Sequence, residues 1–104
     1  MKGINIPKQL IEQVVKKILE EVQPERIVVF GSSVRGDSTN SSDIDIALFG
    51  AKDEKIFLLR DKLNNELRTL KDIDIVLFDT LKNDVLKKRI LSDGVVVYER
   101  SSKR

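Results

Sequence analysis

The tetrapeptide Asp-Ile-Asp-Ile occurs twice in this chain, at Asp43 to Ile46 and at Asp72 to Ile75. Each time it leads into an apolar run, Ala47-Leu48-Phe49 or Val76-Leu77-Phe78. Successive side chains of an extended strand point to opposite faces. Ile44 and Ile46 therefore enter a core while Asp43 and Asp45 share the other face, and Asp72 and Asp74 alternate with Ile73 and Ile75 in the same way. A sheet that brings Asp74 beside the first pair gathers three carboxylates. Like charges that close repel, and partial burial pushes at least one pKa upward. A divalent cation reverses the sign of that argument, because Mg²⁺ selects hard oxygen ligands and is usually held by one or two carboxylates plus substrate phosphates. The competing reading is a sheet rim at which the aspartates simply meet water.

Composition narrows the chemistry. There is no histidine and no cysteine, so the commonest general base, the commonest transition-metal ligand, disulfides and thiolate nucleophiles are all excluded. Acid–base or metal chemistry must rest on carboxylates, which favour Mg²⁺ or Mn²⁺. The 19 basic and 17 acidic side chains leave a net charge of +2, so no general pull toward nucleic acid or an anionic membrane is expected. Lack of cysteine fits a reducing cytoplasm. No apolar stretch is long enough to span a bilayer, and MKGINIPKQ lacks the apolar segment of a secretory signal, so the expectation is a soluble cytoplasmic protein. With 104 residues, 40% of them apolar, residues 1–104 are expected to form one domain around one core, leaving no room for a second substrate domain.

Leu10, Ile11, Val14, Val15, Ile18, Leu19 and Val22 recur at helical spacing between Pro7 and Pro24, which predicts an amphipathic helix over 7–23 with a solvated charged face. Ile27 to Phe30 and Ile44 to Phe49 read as strands, each ending at a glycine. The polar connection between them is too long for a tight hairpin and has room for a short helical turn around Val34. Ile56, Leu59, Leu63, Leu67 and Leu70 predict a helix from Asp53, its cap, to Leu70. Ile73 to Phe78 reads as a third strand, Lys82 to Leu91 as a helix capped by Asp79 or Thr80 and stopped at Gly94, and Val95 to Tyr98 as a fourth strand. The closing ERSSKR has no apolar anchor and is expected to fray, with a disordered tail over about 100–104. The order predicts an α/β (α+β) domain, a small mixed sheet flanked by helices.

Gly31 and Ser32 follow the first strand directly, where glycine lets backbone approach a ligand and exposed amides plus a hydroxyl can grip phosphate. Taken alone, Gly-Ser after a strand is an ordinary turn. Arg35 offers a phosphate or partner contact, or is simply an exposed arginine. The full stretch GSSVRGDSTNSSDID is Gly-Ser, ten residues, then Asp-X-Asp. It resembles the signature of the DNA polymerase β-like nucleotidyltransferase superfamily, and RG followed by SDIDIAL is similar to its minimal nucleotidyltransferase (MNT) branch. The resemblance extends from about Ile27 through Tyr98, taking in DIDIVLFD and RILSDGVVVYE.

That resemblance implies a polymerase β-like fold in which Gly31 and Ser32 are the phosphate-binding pair, Asp43 and Asp45 the metal ligands, and Asp74 the third carboxylate, with Asp72 the alternative if the register differs. It implies transfer of AMP from ATP to an acceptor hydroxyl with Mg²⁺ or Mn²⁺. It also implies the stand-alone antitoxins paired with small helical HEPN toxins, in which the acceptor is a tyrosine of the toxin. Two other functions stay open: a nucleotide-binding antitoxin that only masks its partner, and a catalytic subunit acting on a small molecule or RNA end with acceptor binding supplied by another chain. The low net charge disfavours RNA.

Overall fold

Pro7 starts the first helix, α1 (Lys8–Glu21), where a fixed φ suits the entry and a missing N–H costs nothing; its carbonyl accepts from the N–H groups of Leu10 and Ile11. Val22 turns extended and closes the helix by donating to Ile18 O at 2.9 Å. The computed structural model describes residues 6–31, 44–51, 56–66 and 72–100. Among these residues four strands follow, β1 (Arg26–Phe30), β2 (Ile44–Phe49), β3 (Ile73–Leu77) and β4 (Val95–Glu99). Between β2 and β3 runs α2 (Ile56–Glu66); between β3 and β4 come a single 3₁₀ turn, Phe78–Thr80, and α3 (Asp84–Asp93).

The sheet order is β3-β2-β1-β4, with β1 antiparallel to both β2 and β4 and β3 parallel to β2. The strands thus form the expected small mixed sheet. β2 is central, and its near-continuous apolar run is what a strand covered on both faces requires: Ile44, Ile46, Ala47 and Leu48 are all fully buried. Ile27, Val29, Ile44, Ile46, Leu48 and Ile73 pack on one face beneath Val14 and Ile18 of α1 and Leu59 and Leu63 of α2. On the other face Val28, Phe30 and Ala47 pack with Ile90 of α3. Each large apolar side chain buried in these layers contributes roughly 1.5–3 kcal/mol.

Several boundaries differ from those the sequence predicts. The third strand stops at Leu77 because Phe78 enters the 3₁₀ turn, where its ring stacks on Phe49 with centroids 4.3 Å apart. The helix after it is capped by Asn83, whose side-chain oxygen accepts from Leu86 N, rather than by Asp79 or Thr80. Asp79 instead accepts from the N–H of Gly50 at 2.9 Å, and Thr80 donates to Leu77 O, so both candidate caps are taken by other partners. At the carboxyl-terminal end Glu99 belongs to β4 and pairs with Arg26, and Arg100 N donates to Glu25 O at 2.8 Å, so these two residues of ERSSKR are anchored by backbone contacts. The expected turn around Val34, the Asp53 cap, the stripe positions Leu67 and Leu70, and residues 101–104 lie outside the described residues. Among the described residues, no helix is long and apolar enough to cross a membrane.

Candidate active site

Three strands present Phe30, Asp45 and Asp74 side by side: the β1–β2 register pairs Phe30 with Asp45, and the β2–β3 register pairs Asp45 with Asp74. Neighbouring strands lie about 4.8 Å apart. The two aspartates therefore stand next to one another on a common face. This is the face that α3 covers, but the helix packs over Ala47 and leaves the ends of β2 and β3 that carry the aspartates open. A cleft of about 520 Å³ results. Gly31, Asp45 and Asp74 line it from the sheet, and Leu86 and Arg89 from α3.

Asp45 lies against Gly31. The glycine has φ +86°, and a Cβ built on it would sit 2.3 Å from Asp45 Oδ2. The turn after β1 is thus open to Asp45 only because residue 31 lacks a side chain. Asp74 is engaged from the other direction: Arg60 of α2 approaches it with Nη2 3.0 Å from Oδ1, in a pair whose side chains are 51% and 44% exposed. Exposed pairs of this kind add little stability. The guanidinium does, however, bring a positive charge against the Asp74 carboxylate.

Of the seven residues singled out in the sequence, Gly31, Asp45 and Asp74 meet at the cleft. Ser32, Arg35 and Asp43 lie outside the described residues. Asp72 is exposed and precedes β3, its carbonyl accepting from Ile44 N, so the residue laterally opposite Asp45 is Asp74. Hard oxygen donors sharing one sheet face at the mouth of a cleft are the donor set that Mg²⁺ or Mn²⁺ takes, so these residues fit such an ion. Among the described residues no group of three His, Cys, Asp or Glu side chains could hold a metal; Asp43, the other aspartate the sequence proposes as a ligand, lies outside them. Sequence reasoning did not find Arg60, Asn64 or Arg89. Asn64 alone left a signal, as a poor helix former inside a leucine-striped helix.

Residues 12–103 match the family model described as Polymerase beta, Nucleotidyltransferase. Two proteins of Methanocaldococcus jannaschii, named "Putative protein adenylyltransferase MJ0128" and "Putative protein adenylyltransferase MJ0126", are 34% and 31% identical over 100 residues. Both alignments span 93% of this chain and 100% of the relative. A crystal structure of a toxin-antitoxin with AMP-PNP superposes with a TM-score of 0.74 at 26% identity, over 86% of this chain and 73% of that one. An MNT antitoxin in complex with a tri-AMPylated Shewanella oneidensis HEPN toxin has the same fold, with a TM-score of 0.67 at 24% identity, over 89% and 72% of the two chains. The family match covers most of the chain, including both strands that pair Asp45 with Asp74 and the glycine that makes room for Asp45, and on that ground the chain belongs to the polymerase β nucleotidyltransferase family.

Proposed function

We propose that this chain is a Mg²⁺-dependent adenylyltransferase that moves AMP from ATP to a hydroxyl of a partner protein, a tyrosine of a HEPN toxin, and so acts as that toxin's antitoxin. The observation that carries this reading is the lateral pairing of Asp45 with Asp74 beside Gly31 at an open cleft. The M. jannaschii relatives named as protein adenylyltransferases support the reaction class, and the toxin-antitoxin structure with AMP-PNP supports both the nucleotide and the kind of partner.

In this reading Asp43, Asp45 and Asp74 would hold Mg²⁺ or Mn²⁺, which when bound neutralises the charge developing on the triphosphate. The Gly31 N–H and Ser32 hydroxyl bind phosphate oxygens and hold the α-phosphorus in line with the incoming hydroxyl. The acceptor oxygen forms a bond to the α-phosphorus as the bond from that phosphorus to pyrophosphate breaks. The hydroxyl proton passes to Asp74, since the chain has no histidine to take it. Asp45, packed on Gly31, keeps the carboxylate pair aligned with the phosphate grip.

Incubation with ATP, Mg²⁺ and a HEPN toxin purified in the absence of this chain, followed by intact-mass spectrometry of the toxin, tests this. One or more added AMP masses on a toxin tyrosine, lost with Asp45→Asn, is the expected outcome. A toxin that stays unmodified yet is still inhibited, by wild type and Asp45→Asn alike, would replace catalysis with masking.

A further inference from the structure

Among the described residues β3 is an edge strand of the sheet, and the backbone groups on its outer side meet no further strand there. At Ile73 the side chain of Asn64, on α2, takes that place. Its Oδ1 accepts from Ile73 N at 2.9 Å and its Nδ2 donates to Ile73 O at 3.1 Å, while the same Nδ2 donates to Arg60 O, one turn back on the helix, at 2.9 Å. A carboxamide offers the same donor and acceptor as a peptide group, so Asn64 bonds Ile73 as one residue of a neighbouring strand would.

The position of this clamp matters because of the sequence it grips. Asp72-Ile73-Asp74-Ile75 reads the same after a shift of two residues. Within the tetrapeptide, alternation of apolar and acidic side chains cannot distinguish a sheet with Asp74 opposite Asp45 from one with Asp72 there. Asn64 bonds the main chain of Ile73, the residue immediately before Asp74, and so ties β3 to α2 in the register that sets Asp74 opposite Asp45. Arg60, from the preceding turn of α2, then holds the Asp74 carboxylate itself.

We propose that Asn64 is a positioning residue for nucleotidyl transfer, locking the register of β3 so that Asp74 stands beside Asp45. This rests on the role given to Asp74 above. Asn64 does not line the cleft, and in this proposal it acts through the strand.

The test compares Asn64→Leu, which removes both bonds to Ile73 while keeping a similar shape and a better helix former, with Asn64→Asp, which keeps the acceptor for Ile73 N–H alone. Amide exchange at Ile73 is followed by NMR, and kcat and KM for ATP are measured with Mg²⁺ and the HEPN toxin. Asn64→Leu is expected to speed Ile73 exchange at least about 10-fold and to lower kcat about 10- to 100-fold, with KM for ATP nearly unchanged. Asn64→Asp should recover part of both. Unchanged Ile73 protection, or lost protection with kcat retained while Asp74→Asn still abolishes turnover, overturns the positioning role and leaves the proposed activity standing. A wild-type chain that transfers no AMP overturns the proposed activity, and the positioning role with it.

Discussion

Gly31 and Asp45 exclude any side chain from the space between them: a Cβ on Gly31 would meet Asp45 Oδ2 at 2.3 Å and Cγ at 3.3 Å. The glycine therefore has two reasons to be there. Its φ of +86° disfavours other residues, and the carboxylate occupies the volume a methyl group would need. Gly31→Ala is expected to destabilise the fold by about 1–3 kcal/mol through backbone strain. It should also displace the Asp45 carboxylate, so that turnover falls further than the loss of folded protein explains. Urea unfolding beside single-turnover AMP transfer separates the two effects.

ATP binding should depend on a divalent ion. Asp45 and Asp74 share a sheet face, and without a cation their charges oppose a triphosphate. Calorimetry with Mg²⁺ and then with EDTA should show heat of binding only in the first. Equal affinity in both would remove the metal reading, whereas metal-dependent binding lost in the double variant Asp43→Asn, Asp45→Asn would support it.

Asp74→Asn should lower kcat by at least about 100-fold while changing ATP affinity much less, because its task lies at the acceptor oxygen. Asp72→Asn should leave both near wild type, since Asp72 precedes the strand and is exposed. A defect in Asp72→Asn in place of Asp74→Asn would mean that the catalytic strand works in another register.

Ile46 is fully buried at the centre of β2, packed among the side chains of α1 and α2. Ile46→Ala is expected to cost about 2–5 kcal/mol of stability, the range for a large-to-small change with incomplete collapse of the cavity. Denaturant midpoints with an unchanged m-value would verify it.

Lys62 ties α2 to α1 through Glu21, with Nζ 2.5 Å from Oε2. That hydrogen bond raises the Lys62 pKa above its ordinary 10.5; burial opposes the shift, and the charges of Glu21, Glu66 and Glu20 add to it. A raised lysine pKa means the stabilisation is fully present below the unfolded value and is lost as pH rises through the folded one. Lys62→Met should thus lower the melting temperature by a constant amount from about pH 7 to 9, with the difference shrinking only above 10.5. A difference that vanished near neutral pH would contradict this assignment.

Local pattern alone carried much of this protein. The helical stripe from Leu10 to Leu19 specified α1 with its buried face, and the alternation in Asp-Ile-Asp-Ile specified that Ile44, Ile46 and Ile73 enter the core. Both follow from periods of 3.6 and 2 that any sequence displays directly. The Gly-Ser and Asp-X-Asp spacing pointed to the family on the same terms. Where several residues could serve one role, local pattern failed. Asp79, Thr80 and Asn83 all suit a helix cap, and the choice fell to Asn83 because Gly50 N–H, 29 residues from Asp79 in sequence, claims the Asp79 carboxylate. Asp72 and Asp74 are equivalent in pattern, and the pairing of β3 with β2 separates them. Strand register, the lodging of Asp45 against Gly31 and the reach of Arg60 to Asp74 are contacts between segments distant along the chain. Such contacts depend on how whole layers pack, so tertiary structure decided them.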